Sequence, residues 1–119
     1  MNLGNKNTGI KGEDLTTEWL INNDFEIIAR NHRYKHSEVD IIASKNNVLH
    51  FVEVKTRTNE VYGFPEESVG TKKMNALKKA AAAYVEENPQ WKYLQFDVMA
   101  VTLSKNNAPA FFFIEDVFF

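Results

Sequence analysis

"SEVDIIASKNNVLHFVEVKTR", Ser37 to Arg57, decides how this chain is read. Two apolar runs flank the pair Asn46 and Asn47, and asparagine tolerates the positive φ that a tight hairpin turn needs. The spacing predicts two antiparallel strands joined at that pair. Lys45 then faces Val48, and counting outward sets Asp40 opposite Glu53 and Glu38 opposite Lys55. Side chains alternate along a strand, so these four charges share one face near the open end of the hairpin. Ile42 and Phe51 follow them toward the turn, while Val39, Ile41, Ala43, Val52 and Val54 take the other face. Apolar residues on both sides imply a central strand pair covered on both faces.

Charges in such a place are costly unless something pairs with them. Directly opposite residues have Cβ atoms about 5 Å apart, close enough for two carboxylates to share one cation. Three carboxylates, Glu38, Asp40 and Glu53, would resist ionisation without a compensating positive charge. Lys55 supplies one, and a divalent cation would supply the rest. Oxygen ligands beside a phosphate suit Mg2+ better than zinc. The plainer reading is an ordinary ion pair between Glu38 and Lys55, and a lone Glu-x-Lys triplet occurs by chance in a chain of this size.

Outward from the hairpin, Thr8 to Asn22 reads as a helix with Thr8 as N-cap and Ile10, Leu15, Trp19 and Leu20 near one face. Phe25 to Tyr34 reads as a strand. Asn59 to Gly70 is a loop broken by Gly63 and Pro65, whose Tyr62 and Phe64 could cover the site and stack on bases or pin the loop to the core. Thr71 to about Asn88 is a second helix with Met74, Leu77, Ala81, Tyr84 and Val85 as its buried stripe and Pro89 as its stop. Lys92 to Leu103 and Ala110 to about Val117 complete the strands. The order αβββαββ predicts one α/β sandwich over residues 1–119, with a hairpin and a helical crossover.

The chain has 119 residues, 44% of them hydrophobic and 25% charged, as in an ordinary soluble globular domain. It has no cysteine, which excludes disulfides and thiolate metal sites. No segment approaches the length of a membrane span and the N-terminus has no apolar leader, so a cytoplasmic protein without membrane partners is expected. The net charge of −2 argues against coating nucleic acid by charge alone, yet Arg30 to Lys79 holds ten Lys/Arg against six Asp/Glu. Arg57, Lys72 and Lys73 are candidates for phosphate contacts, and Arg30 and Arg33 could track a nucleic-acid backbone; each also reads as a solvated surface charge. The tail "AFFFIEDVFF" is richer in phenylalanine than an exposed edge strand should be, so it packs on a helix or meets a second copy in a homodimer.

An acid entering one strand followed by Glu-x-Lys on the next resembles the PD-(D/E)xK nuclease superfamily. "GEDLTTEWLINNDFEIIARNHRYKHSEVDIIASKNNVLHFVEVKTR", "YGFPEESVGTKKMNALKKAAAAYV" and "QFDVMAV" together resemble the bacterial YraN-type family, distantly similar to archaeal Holliday-junction resolvases. The similarity runs from Gly12 to Val101, with Ser37 and Gln95 standing where that family usually has glycine and arginine. The resemblance implies a restriction-endonuclease-like three-layer α/β/α sandwich around a mixed central sheet. It implies that Asp40 and Glu53 hold Mg2+, for which Mn2+ could substitute, with the backbone carbonyl of Val54 as a further ligand. Lys55 would activate the attacking water, Glu13 would complete the acidic site, and Glu38 would support it. The function implied is metal-dependent endonucleolytic hydrolysis of DNA, branched or structured. A non-catalytic module that keeps the fold and binds nucleic acid or protein is the alternative.

Overall fold

In the computed structural model, β2 (Ser37–Lys45) and β3 (Val48–Thr58) form the expected hairpin, with Asn46 and Asn47 at φ of 52° and 66°. Lys45 pairs with Val48, Ala43 with His50 and Ile41 with Val52, the register that the asparagine pair predicts. Residues 3–58 and 71–117 are described, with side chains described from Thr8 and from Lys72 onward in the two segments. The loop expected over the site, with Tyr62, Gly63 and Phe64, lies outside the described residues.

Around the hairpin, α1 (Leu3–Asn22) and β1 (Glu26–Tyr34) precede it, and α2 (Thr71–Glu87), β4 (Tyr93–Leu103) and β5 (Ala110–Ile114) follow. The five strands lie in the order β1-β2-β3-β4-β5, and all neighbours are antiparallel except β3 and β4. A parallel pair cannot be joined by a tight turn, and the connection from β3 to β4 contains α2. The chain is an α/β fold in the element order expected, with a mixed sheet.

The two helices cover opposite faces. Leu15, Trp19 and Leu20 of α1 pack with Ile41, Ala43, Val52, Met99 and Val101, whereas Leu77, Ala80 and Ala81 of α2 pack with Val39, Ile42, Leu49 and Phe51. Alternation along β3 explains the split, since Leu49 and Phe51 face α2 while Val52 and Val54 face α1. Burying each large apolar side chain contributes about 1.5–3 kcal/mol. Neither face is left open along the centre of the sheet.

Three details differ from the sequence reading. Helix α1 begins upstream of Thr8, because no proline interrupts Leu3–Asn7 and the helix continues through the proposed cap. Strand β5 stops at Ile114; Phe111 and Phe113 pack on Trp19 with ring centroids 6.3 and 5.2 Å away, but Phe112 is 57% exposed. Val39 joins the cluster beneath α2 instead of sharing the face of Ile41 and Ala43. Alternation along β2 therefore breaks at Asp40. Its neighbour across β1 is Asn31, at φ 53°, which lies between the pairs Arg30↔Ile41 and His32↔Val39.

Candidate functional site

The hairpin ladder holds its register only as far as Ile41 and Val52. A continued ladder would hand the Val54 amide to the β2 backbone; instead it donates to Asp40 Oδ2 at 2.8 Å. Asp40 thus reaches sideways into the gap where β2 and β3 part. The N–H and C=O of one strand residue point to the same edge, so the Val54 carbonyl faces that gap as well.

Glu53 comes from the face of β3 that α2 covers, as its spacing from Leu49 and Phe51 requires. It is 4% exposed. Its Oε2 lies 3.3 Å from Lys73 Nζ and 3.8 Å from Lys55 Nζ. Its Oε1 is buried and receives no hydrogen bond among the described residues. Burial, and then the Asp40 carboxylate, push Glu53 up to about 7, against the pull of Lys73 and Lys55. Burial also raises Asp40, although the Val54 amide, Lys73 and a hydrogen bond with Glu53 oppose the rise.

Helix α1 brings Glu13 to the same edge. A Cβ on Gly12 would strike the Thr56 hydroxyl and come within 2.9 Å of both Thr56 side-chain carbons, so only glycine lets the helix lie this close to β3. Burial and the Asp40 charge raise Glu13, while Arg30 and a hydrogen bond from Asn31 lower it. Asn31, in its left-handed conformation, was not singled out by the sequence. Asparagine's tolerance for that conformation was the available signal, but nothing local marks which asparagine adopts it.

Not every charge falls where the hairpin count placed it. Glu38 turns to its β1 neighbour Arg33 at 3.7 Å, and Lys55 turns to Glu53, so the expected pairing of Glu38 with Lys55 is replaced by two others. The cause is the divergence of β2 from β3 beyond Ile41. Glu38 still adds to the negative potential at Asp40 and Glu13. Arg30 is held by α1, with Asp14 Oδ1 at 2.8 Å and Glu13 Oε1 at 3.7 Å. Arg57 sits further along β3 opposite Thr102, half-buried, and Lys72 is exposed in the first turn of α2. Among the described residues, no three carboxylate or imidazole side chains close around one point as a metal cage.

A second buried polar pair lies on the α1 face. His50 Nδ1 and Asp97 Oδ2 are 2.6 Å apart, and Asp97 Oδ1 accepts from Gln95 Nε2 and from the Asp116 amide, each at 2.9 Å. Gln95, in the arginine position, is thus engaged inside the fold. Asp97 ties β3 and β4 to the segment after β5.

The profile of the uncharacterised protein family UPF0102 matches residues 12–101, the span over which the YraN-type motifs run. This chain belongs to UPF0102. It is 44% identical to a UPF0102 protein of Dictyoglomus turgidum over 103 residues, covering 86% of this chain and 87% of that one. A UPF0102 protein of Chloroherpeton thalassium is 42% identical over 118 residues, 92% of each chain. One from Caldicellulosiruptor bescii is 40% identical over 121 residues, covering 99% of this chain and 100% of its own. The UPF0102 match encloses Glu13, Asp40, Glu53, Lys55 and Lys73. No described helix is long and apolar enough to cross a membrane.

Proposed function

We propose that this UPF0102 protein is a divalent-metal-dependent endonuclease that hydrolyses phosphodiester bonds in DNA, branched or otherwise structured. Glu53 carries the reading: a carboxylate buried in the sheet beside Asp40, with Oε1 receiving no hydrogen bond among the described residues, holds more negative charge than Lys73 and Lys55 offset and has room for a further cation. All the donors are hard oxygens, which fits Mg2+ or Mn2+. Magnesium is typically held by one or two carboxylates and keeps several waters, so the lack of a three-ligand cage among the described residues is compatible with it. Asp40, Glu53 and the Val54 carbonyl would hold the ion.

When bound, the metal supplies positive charge to a phosphate and acidifies water. The chain's own residues do the rest. Asp40 stays anchored through Oδ2 to the Val54 amide, which holds its carboxylate beside Glu53. Lys55, half-buried, orients the attacking water and offsets charge on the phosphate, and Lys73 draws the phosphate toward Glu53. Glu13, fixed by Arg30 and Asn31, supports the acidic edge.

The purified protein, given magnesium or manganese and a panel of linear, flapped and four-way DNAs, should cut at least one of them, and Lys55→Ala and Asp40→Asn should not. A panel left uncut, or variants that cut as well as the wild type, would overturn the reading. The modest net charge of −2 favours one rival, a fold that binds without cutting. It predicts salt-sensitive DNA affinity indifferent to magnesium and to Glu53→Gln.

A further inference from the structure

A cleft of about 750 Å3 opens beside the acid pair, between the first turns of α2 and the turn joining β1 to β2. Arg33, His36, Ser37 and Glu38 line it from the β1–β2 side, and Lys72, Lys73, Ala76 and Leu77 from α2, so three Lys/Arg cations meet a single carboxylate. Arg33 has one described ion-pair partner, Glu38 at 3.7 Å, and its side chain is 70% exposed, so an incoming phosphate meets little competition. No acidic residue occupies the first turn of α2, where the helix dipole favours an anion. Lys73 belongs to the cleft wall and to the Glu53 ion pair at once, so the cleft leads to the carboxylates.

We propose that this cleft takes the sugar–phosphate backbone of a single DNA strand and leads it to the Asp40–Glu53 pair. Size and lining both select a strand over a duplex. The volume falls within the range of small-ligand pockets, about 300–1,000 Å3. A double helix, whose major groove alone is about 12 Å wide, has to stay outside. Cations on facing walls grip one backbone from two sides, whereas a duplex lying across the mouth engages only the exposed ends of Arg33 and Lys72. The described lining addresses phosphates through its cations, and phosphate contacts carry no sequence information. In the nuclease reading, on which this inference rests for its destination, the substrate is a DNA with an unpaired segment, such as a flap or a fork, cut at or near that segment.

Anisotropy titrations of the full chain in EDTA, with a fluorescein-labelled oligothymidylate and a duplex of equal length, test this directly. The single strand should bind on the order of tenfold tighter than the duplex. Arg33→Ala and Lys72→Ala should each lower the slope of log K against log salt by about 0.7, one single-strand phosphate contact. Both positions are exposed, so unchanged urea midpoints will show that the variants are folded. Equal or tighter duplex binding, or a double variant with wild-type affinity and slope, would overturn the inference. Because binding is read without metal, a protein that grips the single strand but cuts nothing with magnesium refutes only the nuclease reading. One that cuts duplex and ignores single strands refutes only this one.

Discussion

Replacing Glu53 with glutamine in the metal-free protein should make the fold more stable at neutral to alkaline pH, an unusual outcome for a change at a buried position. Glutamine keeps the shape of the protonated acid and removes the charge that burial penalises. An ordinary glutamic acid titrates at 4.5, and Glu53 is pushed up to about 7. Between those values the folded protein holds a proton that the unfolded chain has lost, so stability falls as pH rises through the window. At about 1.4 kcal/mol per pH unit the ionised Glu53 costs the fold about 3 kcal/mol by the top of the window. The attraction of Lys73 and Lys55 is already included in that figure, and Asp40 shares the titration, so the expected gain is about 1–3 kcal/mol near pH 8 and close to nothing near pH 4. For a domain of this length that is about 3–10 °C in Tm. Urea denaturation followed by the fluorescence of Trp19 and Trp91, extrapolated to water at a series of pH values, measures it. The diagnostic quantity is the difference between wild type and variant, which cancels every other titrating group. Two parallel stability curves, or a variant less stable than wild type at pH 8, would show that Glu53 carries no buried uncompensated charge, and the case for a cation site would fall with it.

Asp40→Asn should fold normally, because the amide oxygen can still accept from the Val54 amide, yet should lose Mg2+ and Mn2+ binding by calorimetry. Gly12→Ala should cost about 1–3 kcal/mol in urea denaturation, since α1 must lift off Thr56; in the same protein Glu13 should titrate closer to an ordinary glutamate by NMR. Asp97→Ala removes the acceptor shared by His50, Gln95 and the Asp116 amide, and should cost about 3–5 kcal/mol while leaving metal binding intact, because these groups lie on the opposite face from Glu53.

The hairpin was legible because its information is local. A pair of asparagines sets the turn, the turn sets the register, and period-two alternation carries that register to Ile41 and Val52. The stripe of α2 was legible for the same reason, and Met74, Leu77 and Ala81 are buried as their spacing requires. Counting failed at Asp40, where a left-handed Asn31 and the parting of β2 from β3 turn Val39 toward α2. A backbone conformation of that kind depends on what is packed around it. The pairing of His50 with Asp97 was hidden too, because the parallel register Val48↔Tyr93 is set through a long connection containing a helix and not by any turn.

Residue order alone was enough to bring Asp40 and Glu53 to the same end of one hairpin and to supply Lys55 two residues on. What surrounds those groups was decided by the tertiary structure. Packing of α2 against Ile42 and Phe51 brings Lys73 within 3.3 Å of Glu53, and the closeness of α1 to β3 at Gly12 sets Glu13 beside Asp40. It also gives Arg30 to α1 and Glu38 to Arg33. A charge seeks the nearest opposite charge in space, and that distance is fixed only when the helices have settled on the sheet.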